Sequence, residues 1–252
     1  MNNNPGWDGS TVTARGELDT LDSKTVVARF KRGIRKLLLM FLTPAMVEKI
    51  RSRLLSHDMI YDASYFERDI DPPARESAPT IAATILDDLA PRRVIDVGCG
   101  TGALLSALRE GGCDGIGLEY AQAGIDYCRQ RTLNVRKFDI ERDQLEEARD
   151  FDAVISMEVA EHLPASTADK YVDLLTSLAD TVIFTAAQPN QGGTDHVNEQ
   201  PHEYWVEKFV NRNYLLDEPL SNEWQVKWKR SGKVQSWYYD NLMVFRKKES
   251  TG

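Results

Sequence analysis

Three observations predict a doubly wound α/β fold. First, from residue 93 onward short apolar runs alternate with amphipathic helical stretches, the pattern of a mostly parallel sheet covered on both faces. Second, the run Val94-Ile95-Asp96-Val97-Gly98-Cys99-Gly100-Thr101-Gly102 ends an apolar strand in an acid and opens a glycine turn before a helix. Third, two β-prone stretches near the C-terminus suit a closing antiparallel hairpin and bring the expected sheet to seven strands.

Residues 1–22 are polar, glycine-containing and weakly periodic and read as a mobile segment. From Lys24 to His57 the chain is basic and amphipathic, with Glu48 the only acid. Leu37–Leu42 is its apolar centre, and Pro44 separates two expected helices. This stretch reads as a helical lid or oligomer contact, or alternatively as a surface for membranes or anionic substrates. Its apolar centre also hints at self-association. Pro72-Pro73 marks a loop. The expected division is an extension and lid over 1–75 and the main domain over 76–252.

A helix is expected over about Ala78–Leu89. Strand Arg93–Val97, helix Gly102–Glu110, strand Gly115–Glu119, helix Ala121–Arg131 and strand Val135–Phe138 follow. Next come strand Asp152–Met157, helix Ala168–Leu178, strand Val182–Ala186 and helix Glu203–Asn211. The strand-like C-terminal stretches are Glu223–Lys229 and Ser236–Arg246.

The chain of 252 residues, 42% hydrophobic and 28% charged, is long enough for one α/β domain with an extension. A formal net charge of −8 argues against binding nucleic acid through a broadly basic surface. The three cysteines Cys99, Cys113 and Cys128 lack metal-type spacing and suit a reducing cytoplasm. No secretory signal or membrane-spanning run is read from the sequence.

The glycine turn suits a nucleoside cofactor lying against bare backbone. Gly98-Cys99-Gly100-Thr101-Gly102-Ala103 also fits a dinucleotide pattern, so the acids must decide. Asp96, two residues before the first glycine, would meet a pyrophosphate with like charge but suits a cationic or amine-bearing ligand. Glu119 ends the next strand, where an acid can take ribose hydroxyls. Asp139 follows the third strand and can accept from an adenine amine, with Ile140 packing on the ring. Each acid alone is equally compatible with a helix cap. Cys99 reads as a small packing residue of the turn.

With these acids, Asp-Val-Gly-Cys-Gly-Thr-Gly closely resembles the class I S-adenosylmethionine-dependent methyltransferases, over roughly Ala90 to Ala187. The resemblance implies a Rossmann-like fold and S-adenosylmethionine as cofactor. It implies a cofactor set of Asp96, Gly98, Cys99, Gly100, Gly102, Glu119, Asp139, Ile140 and Glu158. The string Glu158-Val159-Ala160-Glu161-His162-Leu163-Pro164 resembles a segment of ubiquinone-pathway O-methyltransferases and small-RNA 2′-O-methyltransferases. By that resemblance Glu158, Glu161 and His162 hold a divalent cation, Mg²⁺ or Mn²⁺, at the acceptor hydroxyl. The alternative is that Glu158 contacts cofactor while Glu161 and His162 shape the turn.

Gly192-Gly193-Thr194-Asp195-His196-Val197-Asn198-Glu199-Gln200 resembles a loop of bacterial methyltransferases of saccharide modification. It implies His196 as a fourth metal ligand or a general base, with Asn198 and Gln200 on the acceptor. His162 and His196 are thus the candidate catalytic pair, whereas His202 reads as the start of a helix. Trp205, Trp224, Trp228, Trp237, Tyr204, Tyr238 and Tyr239 crowd the C-terminal part. Most are expected in the core, with one or two at an acceptor cleft. The expected activity is O-methylation of a saccharide or similar polar metabolite. RNA methylation and a non-catalytic cofactor-binding subunit stay open as alternatives.

Overall fold

The computed structural model describes residues 61–145 and 150–249. The expectations for residues 1–22 and for Lys24–His57 lie outside the described residues.

The described chain begins with a short helical turn, Ala63–Tyr65, whose N-cap Asp62 accepts from the Tyr65 backbone N–H at 3.0 Å. A π-helical turn, Phe66–Ile70, leads into helix α1, Asp71–Leu89. Here the structure departs from the expected loop at Pro72-Pro73. Both prolines occupy the first turn of α1, where a helix has no partner for the missing N–H groups. Helix α1 therefore starts at Asp71 and runs through position 75.

Strand β1, Arg93–Val97, is followed by helix α2, Ala103–Glu110, and strand β2, Asp114–Glu119. Helix α3, Gln122–Gln130, leads to strand β3, Asn134–Lys137, and then strand β4, Ala153–Met157. Helix α4, Ala168–Leu178, and strand β5, Thr181–Thr185, complete the alternating part. Helix α5, His202–Val210, strand β6, Tyr214–Leu216, helix α6, Glu218–Ser231, helix α7, Ser236–Asp240, and strand β7, Met243–Lys247, close the chain.

The seven strands form one sheet in the order β3-β2-β1-β4-β5-β7-β6. The first five are parallel, and β7 runs antiparallel to both β5 and β6. The expected mostly parallel seven-stranded sheet with an antiparallel C-terminal pair is present. Its last strands lie elsewhere than expected. Glu223–Lys229 is not a strand but the middle of α6, where Trp224 and Trp228 lie one turn apart, their rings tilted against each other, and are fully buried. Asp217 caps that helix by accepting from Leu220 N–H, and Gly232 ends it in the left-handed region. Ser236–Arg246 divides into α7 and β7, and the outer neighbour of β7 is β6, which no strand expectation covered.

Alternation along β1 sorts its side chains between the two faces of the sheet. Ile95 and Val97 join a core with Tyr171 and Val172 of α4 and Trp205 and Phe209 of α5. Val94 joins the opposite core with Ile81 and Ile85 of α1, Leu105 and Leu108 of α2, and the two tryptophans of α6. Asp96 shares the parity of Val94, so its carboxyl emerges on the α1 side at the carboxyl end of the sheet. No helix among the described residues is long and apolar enough to cross a membrane.

Candidate active site

The sheet order reverses between β1 and β4, and a doubly wound fold opens its ligand crevice at that point. A cavity of about 240 Å³ lies there, lined by the glycine turn, Asp96, Glu119, Asp139, Ile140, Glu158 and His162. The turn is pinned to β2, because Gly98 N–H and Cys99 N–H both donate to Leu118 O, at 2.8 and 3.1 Å. Gly98 sits at φ +82°, and a Cβ there would strike Val159. Gly102 sits at φ +71°, with Leu133 and Cys128 where its Cβ would be, at 2.5 and 2.8 Å. Larger residues at either place would push the turn off its neighbours. Cys99 lines the cavity, with its Sγ 3.8 Å from that of Cys128.

Asp96 and Glu119 are both buried, at 5% and 9% exposure. Burial pushes Asp96 up to about 7, with the nearby Glu119 charge adding to it. Glu119 is also pushed up to about 7 by burial, against bonds from the Ala121 and Gly100 N–H groups at 2.8 Å each. Two buried carboxyls with no cationic side chain beside them among the described residues favour a ligand that brings positive charge or donor groups. Asp139 faces the same cavity, while its Oδ1 accepts from Glu141 N–H at 2.9 Å and so folds its own loop. Ile140 and Phe138 supply apolar wall beside it.

Sequence reasoning missed the cover of this cavity. Tyr61, Tyr65, Phe66 and Ile70 line it from the segment before α1, and Tyr120 and Tyr238 line it from within the domain. The aromatic string Tyr61–Phe66 was the available signal, but nothing local says what it faces. Arg131 ties this cover to the turn. Its guanidinium donates to Asp71 Oδ1 at 2.6 Å and to the Thr101 carbonyl.

After β4, Glu158 takes a left-handed backbone at φ +56°. Its carboxyl accepts from Asn241 Nδ2 at 3.1 Å and Gln191 Nε2 at 3.2 Å. A 3₁₀ turn, Ala160–His162, then presents Glu161 and His162. Glu161 is wholly buried; among the described residues no well-formed hydrogen bond reaches its carboxyl oxygens, and the Glu158 carboxyl and the Ala187 backbone lie close to it. Burial, and then repulsion from Glu158, drives it well above the ordinary carboxylate range. His162 lines the cavity, with its Nδ1 3.1 Å from Tyr61 Oη. His196 packs edge-on behind it, with ring centroids 5.0 Å apart.

Ligand atoms of Glu161, His162 and His196 all lie within 4.8 Å of one another, a set of one carboxylate and two imidazoles suited to a divalent cation. Glu158 is not part of that cluster; its oxygens accept from the two amides, and its carboxyl neighbours that of Glu161. The loop carrying His196 is fixed through main chain, as Val197 and Asn198 N–H both donate to Glu161 O, at 2.8 and 3.0 Å. Asn198 and Gln200 do not line the cavity. Asn198 is buried; its Oδ1 accepts from Gln200 Nε2 at 2.9 Å, and its Nδ2 has no hydrogen-bond partner among the described residues. His202 begins α5, as expected. Trp205, Trp224 and Trp228 are core residues, and among the C-terminal aromatics Tyr238 reaches the cavity.

A 3-2-1-4-5-7-6 sheet with an acid-flanked glycine turn at its switch point is the Rossmann-like fold of the class I S-adenosylmethionine-dependent methyltransferases. The chain belongs to the methyltransferase-domain family, whose model matches residues 67–214. It is 35% identical over 82 residues to the ubiquinone biosynthesis O-methyltransferase of Methylococcus capsulatus, a match covering 30% of this chain and 35% of that protein. The corresponding protein of Bordetella avium is 35% identical over 79 residues, covering 29% and 33%. The matched region is thus about a third of the length of these relatives.

Among solved structures, magnesium protoporphyrin IX methyltransferase from Synechocystis PCC 6803 aligns with a TM-score of 0.54 and 17% identity, over 82% of this chain and 98% of that one. The CcbJ methyltransferase from Streptomyces caelestis aligns with a TM-score of 0.56 and 13% identity, over 77% and 100%. At these identities the likeness concerns the fold.

Proposed function

We propose that this protein methylates a hydroxyl group of a small polar acceptor, with saccharides the favoured class. The buried carboxyl of Glu161, without a well-formed hydrogen bond among the described residues and grouped with two histidines, carries the reading. An orphaned carboxylate is costly unless a cation or proton completes it, and placing one beside the cavity serves a hydroxyl that must lose its proton. In this reading Glu161, His162 and His196 hold Mg²⁺ or Mn²⁺, with Glu158 beside them on the cavity wall. The cation would lower the hydroxyl pKa. S-adenosylmethionine would supply the methyl group on a sulfonium that needs little further activation.

The remaining work falls to the chain. Asp96 would hold the amine end of the cofactor, Glu119 its ribose hydroxyls, and Asp139 with Ile140 its adenine. The cover of Tyr61, Tyr65 and Phe66 excludes water and aligns acceptor and methyl. Hydroxyl chemistry is supported by the ubiquinone-pathway O-methyltransferases among the relatives. Saccharides are supported by the Gly192–Gln200 loop and by aromatic walls that suit sugar C–H faces.

Calorimetric titration with S-adenosylhomocysteine, after EDTA and then with added Mg²⁺, tests the cofactor site, with NADH as control. Binding of NADH in place of S-adenosylhomocysteine would overturn the cofactor assignment. Methyl transfer to a sugar panel that stops with EDTA and returns with Mg²⁺ is the expected second result. Undiminished turnover in EDTA would remove the cation.

A further inference from the structure

We propose that Glu199 is a positioning residue that holds His196 as its Nδ1–H tautomer and so makes Nε2 the nitrogen offered to the Glu161–His162 cluster. The proposal rests on the reading of these three residues as one centre. His196 Nδ1 lies 2.9 Å from Glu199 Oε1, and both side chains are largely buried, at 12% and 19% exposure. A carboxylate only accepts, so the imidazole nitrogen facing it carries the proton. The other ring nitrogen then keeps its lone pair, and outer carboxylates orient ligating histidines in this way.

The loop is built around that contact. Glu199 Oε1 also accepts from Gly192 N–H at 2.7 Å, and Oε2 accepts from Asn190 N–H at 2.8 Å. These bonds curl residues 190–199 into a closed turn with His196 inside it. Gly193 lies directly against the imidazole, and a Cβ there would fall on Nε2 and Cε1. The neighbouring Val197 and Asn198 N–H groups, anchored on Glu161 O, set the ring beside the cluster. The spacing of histidine and glutamate by three residues therefore has a chemical reason: one orients the other.

Long-range ¹H–¹⁵N spectra of the full chain, labelled at histidine nitrogen, test this directly. His196 signals are assigned by their loss in His196→Ala. The expected wild-type pattern is a protonated Nδ1 and a bare Nε2. Glu199→Gln should shift the population toward Nε2–H and lower kcat about 10–100-fold, while affinity for S-adenosylhomocysteine stays within about two-fold. An Nε2–H tautomer in the wild type, or an unchanged spectrum and kcat in Glu199→Gln, would overturn the proposal. Full turnover in His196→Ala alongside an Nδ1–H wild-type spectrum would remove the catalytic reading of the centre but leave the Glu199 assignment standing.

Discussion

Asp96 and Glu119 bring two carboxyls to one buried site, and each is held near neutrality instead of in the ordinary acid range. The two come from adjacent strand ends. A nucleoside cofactor with a charged amine and ribose hydroxyls has a complementary group for each.

Affinity for S-adenosylhomocysteine should therefore depend on pH. Both carboxyls sit at about 7 in the folded chain, against ordinary values of 3.8 and 4.5. The folded state thus binds more protons than the unfolded state through this window. On its own this pair makes the ligand-free protein lose stability as pH rises toward 7. A ligand that pairs with the ionised forms must displace those protons at lower pH. Calorimetric affinity should rise from pH 5.5 to 7.5 and then level. A flat profile across that range would contradict the assignment.

Replacing Asp96 with Asn should flatten part of this profile. It should also weaken S-adenosylhomocysteine binding by roughly 10–100-fold, the loss expected for a charged hydrogen bond of about 1.5–3 kcal/mol. Equal affinity in the variant would show that the acid only shapes the turn.

His196→Ala should keep cofactor affinity and lose turnover, with kcat falling about 100-fold or more, as for loss of a group acting on a reacting proton. The ring packs behind His162 and does not line the cofactor cavity, so binding provides an internal control. Parallel loss of affinity and rate would point to collapse of the loop.

Gly102→Ala should destabilise the chain by about 1–3 kcal/mol, since the residue must hold a positive φ against Leu133 and Cys128. Thermal unfolding measures this, and an unchanged midpoint would mean the turn relaxes freely.

Arg131→Met should leave the sheet intact while freeing the cover from the glycine turn, because one guanidinium joins Asp71 to the Thr101 carbonyl. The stability loss should be about 1.5–3 kcal/mol, with weaker cofactor binding as the diagnostic companion. Lost stability with unaltered binding would mean that the latch does not hold the cavity closed.

The amino-acid sequence by itself determined the alternating part of the fold and the cofactor side of the candidate site. Strand β1, the glycine turn, Glu119 and Asp139 are adjacent to element ends, and local pattern alone places them there. The glycines carry the same information twice, in composition and in the φ values they must adopt. What tertiary structure decided was everything resting on distant neighbours. Trp224-Gln225-Val226-Lys227-Trp228 fits a strand or a helix equally well, and only the core between α1 and the sheet selects the helix that buries both tryptophans. Pro72-Pro73 reads as a loop until its place in the first turn of α1 is known. Glu158 and Glu161 are alike in sequence, yet two amides donate to one, while the other is wholly buried without a well-formed hydrogen bond among the described residues. Glu199 drew no notice as a letter in the loop, and it gained meaning when a closed turn brought its carboxylate onto His196. Such contacts depend on which buried groups find partners across the fold, and a short-range pattern holds no record of that.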